Sequence, residues 1–121
     1  MSSAAREPFA AVPLAHRLDD RIWISAAAAT HGGRAIGGND AIAQFHFIID
    51  RIEGALLSLG ATLGDVVRTR TYVSNILDGE DVARAHAERF RNIAPANTLV
   101  RADLMGDDSL VEVEAEAVVT I

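Results

Sequence analysis

The sequence predicts an α+β domain, a mixed β-sheet with two helices packed on one face. Three observations carry that expectation. Residues 111–117 alternate, with Val111, Val113, Ala115 and Ala117 set against Glu112, Glu114 and Glu116. Successive side chains leave a strand on opposite sides, so this is a strand with one buried face. Ile42, Phe45, Ile49, Ile52, Leu56 and Leu59 recur at three- and four-residue spacing, the stripe of an amphipathic helix. The order strand-strand-helix-strand-helix-strand-strand then layers two helices on one side of a sheet.

Residues 1–10 read as a loose arm, the usual state of an untethered terminus. Apolar runs at 14–18 and 21–25 flank Asp19 and Asp20, acidic turn formers that predict a hairpin. A small-residue extension at 26–29 leads into a glycine-rich loop at 30–34, and Gly37 and Gly38 mark a further break. Asn39 or Asp40 caps a helix running to about Leu59, and Gly60 stands where a left-handed C-terminal cap belongs. Residues 65–74 form a strand with Val67, Thr69, Thr71 and Val73 on one face and Arg68, Arg70 and Tyr72 on the other. After a loop at 75–80, a second helix over 81–91 turns Val82, Ala85 and either Arg89 or Phe90 inward.

Two strands close the chain. Residues 97–104 set Thr98, Val100, Ala102 and Leu104 against Asn97, Leu99, Arg101 and Asp103, and Met105–Asp108 supplies the turn chemistry of a hairpin between this strand and the last one. The sheet face away from the helices is then expected to carry Arg68, Arg70, Tyr72, Asn97, Arg101, Asp103 and the three glutamates. Arg101 is the nearest expected partner for the glutamate row. Leu99, Leu110 and Trp23 among these polar side chains point to burial against other subunits.

A chain of 121 residues fits one domain over 1–121. At that length roughly two-thirds of the unfolded surface is buried, so no disulfide or metal staple is needed. There is no cysteine, which removes disulfide, thiolate and zinc-finger chemistry together. A formal charge of −6 without a single lysine argues against nucleic acid, whose phosphates are held by clustered cations. Arginine alone instead suits paired carboxylates. No apolar run is long enough for a membrane span and no signal core opens the chain, so a cytoplasmic protein is expected. His46 and His86 lie on the two helices without zinc-ligand spacing, so packing explains them and no metal is expected. His31, in the glycine-rich loop, is the histidine placed to reach a pocket mouth. The paired glycines lack a phosphate-binding fingerprint, and no cofactor is expected.

Pro95-Ala96-x-Thr98 followed by Val111-Glu112-Val113-Glu114-Ala115 resembles the C-terminal signature of the RidA (YjgF) family, also called endoribonuclease L-PSP. Ile22-Trp23-Ile24-Ser25, the stretch 60–67 and Arg68-Thr69-Arg70-Thr71-Tyr72-Val73 extend the resemblance over most of the chain. It implies a chorismate-mutase-like fold, a homotrimer around a central barrel, pockets at the three interfaces, and hydrolysis of reactive enamines and imines. By the same resemblance Glu112 places the attacking water and Ser25 is a retained pocket residue.

Deaminating members carry an arginine after the Pro-Ala pair to clamp a substrate carboxylate. Here that position is Asn97, which donates hydrogen bonds but brings no charge. Val12 and Ala83 replace a pocket tyrosine and a helix asparagine. Arg70 and Arg101 are the remaining candidates for an anionic ligand, although Arg101 lies about 13 Å beyond Asn97 along a strand. The structural alternative is that Glu112 pairs with Arg70 or Arg101. The lead function is therefore hydrolytic deamination of small imines or enamines. A trimer that binds a small ligand without turnover is the alternative, and a ribonuclease, disfavoured by the acidic charge, is the third.

Overall fold

The computed structural model describes residues 2–6, 13–31, 34–106 and 108–120, with Ser2–Arg6, Pro13, His31 and Arg34 described as backbone. In chain order the strands are β1 (Ser2–Arg6), β2 (Pro13–Leu18), β3 (Arg21–Ala28), β4 (Thr30–His31), β5 (Arg34–Ala35), β6 (Val66–Val73), β7 (Ala96–Arg101) and β8 (Val111–Val118). The helices are α1 (Ala41–Ser58), between β5 and β6, and α2 (Gly79–Arg89), between β6 and β7. Six strands form one sheet in the order β1-β2-β3-β8-β6-β7, and β4 and β5 pair as a short ribbon. Every pairing in the large sheet is antiparallel except β6 with β7. The mixed sheet with two helices is the architecture expected from the sequence.

The Asp19-Asp20 hairpin forms, with Leu18 opposite Arg21, and Asp19 takes the left-handed backbone (φ 54°) such a turn requires. The loose arm is corrected over part of its length. Ser2–Arg6 pair antiparallel with β2, which covers amides that an edge strand would otherwise leave bare. The remainder of that arm, Met1 and 7–10, lies outside the described residues, as does Val12.

Helix α1 starts at Asp40, whose Oδ1 accepts from the Ala43 amide at 3.1 Å. It ends at Gly60 (φ 82°). There the Gly60 amide donates to Leu57 O at 3.2 Å and the Ala61 amide to Leu56 O at 2.8 Å, a Schellman cap. The buried stripe is rotated from the expected one: Ala41, Gln44, Phe45, Ile48, Ile49, Ile52, Ala55 and Leu56 are buried, while Ile42 is exposed. Gln44 is tolerated because it is bonded throughout. Its Nε2 donates to Gly38 O (3.2 Å) and Asp108 O (3.0 Å), and its Oε1 accepts from the Leu110 amide (2.9 Å). A buried amide with partners costs little.

Two strand expectations are corrected. Val67 faces solvent because the β6–β8 register shifts between Val66 and Arg68. The bulge gives the core position to Val66. The closing strands form no hairpin with each other, since β6 lies between β7 and β8. The β6–α2–β7 crossover returns the chain to the same end of the sheet, so β7 enters parallel to β6. The segment after β7 then passes across the end of β6, where the Ala102 amide donates to Val73 O (3.0 Å) and the Ser74 amide to Leu110 O (3.1 Å).

The core lies between sheet and helices, built from Ile22, Ile24, Phe45, Ile48, Ile49, Ile52, Leu56, Val111 and Val113. Among the described residues no helix is long and apolar enough to cross a membrane.

Candidate functional site

The sheet face without helices is assembled by cross-strand register. Glu116, Glu114 and Glu112 on β8 stand opposite Arg68, Arg70 and Tyr72 on β6, and Trp23 on β3 stands opposite Glu116. Opposite charges side by side on neighbouring strands attract. Arg70 Nη1 lies 3.3 Å from Glu114 Oε1, and the Tyr72 hydroxyl donates to the same oxygen at 2.7 Å. That bond and desolvation hold the Tyr72 phenol above its ordinary pKa. Arg68 turns to β7 and donates from Nη2 to Thr98 Oγ1 at 2.9 Å, while its buried Nε has no hydrogen-bond partner. A depression of about 220 Å³ is lined by Trp23, Ser25, Arg68, Arg70, Glu114 and Glu116.

Glu112 is set apart within its row. It is the second residue of β8, level with Tyr72 and Ala28, and is half-buried. Burial raises its carboxyl pKa above the usual carboxylate value, opposed by a hydrogen bond from Ser109. Arg70 is engaged with Glu114, so the expected Arg70–Glu112 pairing gives way to Arg70–Glu114.

The structure divides the sequence-predicted residues between the two sheet faces. Ser25, Arg70 and Glu112 share the open face. Asn97 and Arg101 do not, which corrects the expected sidedness of β7. In the parallel pairing Asn97 is level with Thr69, Leu99 with Thr71 and Arg101 with Val73, all on the side of the sheet that carries the helices. β7 is an edge strand with most side chains exposed, so hydrophobic burial does not dictate its register. Arg101 ends β7 exposed to solvent and separated from β8 by β6. It partners no glutamate of the row.

Asn97 is instead tied to a buried polar group. Its Oδ1 accepts from Thr69 Oγ1 at 3.0 Å and from Thr71 Oγ1 at 3.3 Å. Thr69 Oγ1 in turn lies 2.7 Å from His86 Nε2. The His86 ring stacks on Phe90 with centroids 4.6 Å apart, so the expected packing role is joined by a hydrogen bond. Burial lowers the His86 pKa. Sequence reasoning missed this link, because it takes both the β6–β7 register and the packing of α2 against the sheet to bring the three residues together. Among the described residues no group of three His, Cys, Asp or Glu could hold a metal. The His31 side chain lies outside the described residues.

Residues 4–119 match the family described as endoribonuclease L-PSP. The chain belongs to that family. An uncharacterized Streptomyces coelicolor protein is 30% identical over 99 residues, 81% of this chain and 74% of its own length. A Mycobacterium tuberculosis structure of the YjgF/YER057c/UK114 family is 31% identical, with a TM-score of 0.87 over 98% of this chain and 100% of that one. A Yersinia pestis protein of the conserved Rid family shares the fold at 24% identity, with a TM-score of 0.85 over 98% and 100% of the two chains. The L-PSP family assignment agrees with the resemblance read from the sequence, and its solved members share the sheet-and-two-helix architecture found here.

Proposed function

We propose that this L-PSP-family chain acts in the cytoplasm as a single-domain homotrimer. It hydrolyses small imines, or enamines after tautomerisation, in pockets between subunits. The observation that supports the reading is Glu112: a half-buried carboxylate on the open face with its pKa raised by burial. The nearby cation is engaged with Glu114. A carboxylate with no salt-bridge partner among the described residues and with increased basicity is suited to orient a water and take its proton. The water oxygen bonds to the imine carbon and gives a carbinolamine. Glu112 passes the first water proton to the nitrogen as the carbinolamine forms. It then takes the hydroxyl proton and delivers it to the amine, so that the C–N bond breaks, ammonia leaves and a carbonyl remains. In this reading Ser25, on the same face as Glu112, orients the ligand, and Asn97, on the helix side of the sheet, reaches it from a neighbouring subunit.

Asn97 favours a second reading, a trimer that binds a small ligand without turnover, because the amide brings no charge to fix a carboxylate. Ammonia release from imines generated in place by an amino-acid oxidase separates the two. Turnover by the wild type that is lost in Glu112→Gln supports the hydrolase. No turnover by the wild type but activity in Asn97→Arg means the scaffold is competent and this chain has left the reaction. Silence from all three, with a ligand-dependent rise in melting temperature, supports binding alone.

A further inference from the structure

His86, Thr69 and Asn97 form a chain of hydrogen bonds from the interior to the surface of the edge strand. The logic of that chain is restrictive, because a threonine hydroxyl carries one proton. Two hydroxyls converge on Asn97 Oδ1, at 3.0 Å from Thr69 and 3.3 Å from Thr71. If Thr69 gives its proton to Asn97, its oxygen must accept from His86 Nε2, 2.7 Å away. The imidazole is then protonated on Nε2. With the other tautomer the whole chain reverses: Thr69 donates to His86, and the Asn97 amide turns its NH2 group toward the threonines. One proton on a buried ring thus selects which end of an exposed amide faces outward.

We infer that His86, through Thr69, is a positioning residue. It holds the Asn97 carbonyl against β6 and presents the Asn97 Nδ2 donors to a ligand's carbonyl-type oxygen, whether that oxygen is charged or neutral. The ligand half of this inference rests on the reading of Asn97 as a pocket residue given under the proposed function. The surroundings favour a neutral ring: His86 is buried, packed on Phe90 and close to Phe45, and desolvation lowers its pKa. A neutral ring has a definite tautomer to transmit, and two donors fixed in direction discriminate better than a freely rotating amide.

Long-range proton–nitrogen NMR of the full chain tests the orientation without any activity. His86 is expected as the Nε2–H tautomer at pH 7.5, and an Nδ1–H tautomer overturns the inference. Pyruvate and pyruvamide, an anion and a neutral amide of similar size, then test recognition. Both are expected to shift the Asn97 side-chain NH2 signals, with affinities within about threefold of each other because the Asn97 amide brings no charge. Thr69→Val should weaken both probes about tenfold, a loss expected from one hydrogen bond, and Thr69→Ser should restore them. Rescue by serine distinguishes positioning from loss of packing. NH2 signals unmoved by both probes overturn the recognition, whatever happens elsewhere. Failure of ammonia release alongside an Nε2–H ring and responsive NH2 signals would sink the hydrolase and leave this inference standing.

Discussion

The two faces of the sheet use the same strands and reach opposite conditions. Beneath the helices every buried polar side chain among the described residues has found a partner. Gln44 is bonded three times, Thr69 reaches His86 and Asn97, and Thr71 reaches Asn97. Across the sheet, Arg68 Nε is buried without a partner, and Leu18, Trp23 and Val100 are each about two-fifths exposed. β8 shows the contrast within one strand, since Val111 and Val113 are fully buried and Glu112, Glu114 and Glu116 are half-exposed. The lesson is that one chain completes one side only. On our reading a second copy completes the other.

The sharpest way to break that comparison is to remove one large apolar side chain from each face. Phe45 is fully buried, and Phe45→Ala should cost about 3–5 kcal/mol of unfolding free energy in a denaturant titration. Trp23 is 41% exposed. Trp23→Ala should cost less than about 1 kcal/mol within an isolated chain, as surface changes do, yet lower the mass seen by light scattering. A large intrinsic cost at Trp23 with an unchanged mass would show that both faces obey the same rule.

Glu112→Gln addresses the chemistry of the open face. If Glu112 handles the water, turnover should fall about 10²–10⁴-fold, the usual scale for a general base. Stability should not fall with it. The folded-state pKa of Glu112 is raised, so the folded chain binds more protons than the unfolded one between the ordinary carboxylate pKa and the raised value. Stability contributed by this group is therefore present at low pH and lost as pH rises through that window. Glu112→Gln should flatten that loss and leave the melting temperature at pH 7 equal or higher. A lower melting temperature would return Glu112 to a purely structural role.

Gln44 provides the matching test on the closed face. Gln44→Leu leaves the Leu110 amide and the Gly38 and Asp108 carbonyls without their partner, and should cost about 1–3 kcal/mol, read by urea unfolding. A smaller loss would mean that water replaces the bonds and the closed face is less sealed than its burial implies.

How much of this was legible beforehand follows the strength of local signals. The α1 caps at Asp40 and Gly60, the Asp19-Asp20 turn and the alternation of β8 were readable because each depends on residues within a few positions. The sidedness of β7 was not. Its alternation alone fits either face, and only the parallel crossover through α2 decides which residues stand level with Thr69 and Val73. The bulge at Val67 escaped for a related reason, since two adjacent valines do not reveal which one the partner strand skips. Gln44 sat inside a correctly read helix, but its value depends on a loop 64 residues away. In the candidate site, Arg70 and Glu112 were placed together by strand alternation, whereas Ser25 came from the family resemblance alone. Asn97 and Arg101 were misplaced with β7, and the His86–Thr69–Asn97 link needed both the packing of α2 on the sheet and the β6–β7 register.

The smallest expected effect is also the most diagnostic of whether the open face is covered. Arg84–Glu80 is an exposed pair one turn apart on α2, with side chains 70% and 85% accessible, whereas Arg70 and Glu114 are 40% and 30% accessible. Arg84→Ala should cost about 0.3–0.5 kcal/mol at any protein concentration. Arg70→Ala should cost no more than about 1 kcal/mol when the protein is dilute and the pair is solvated, with the loss shrinking at high salt. If association buries the face, the same substitution leaves Glu114 uncompensated in a drier site. Its cost per chain then rises at high protein concentration and loses its salt dependence. Measuring both variants by denaturation across a hundredfold range of concentration decides the matter. Equal, salt-sensitive losses for Arg70→Ala throughout would mean that the open face remains in water and that the pairs on the two regions differ only in geometry.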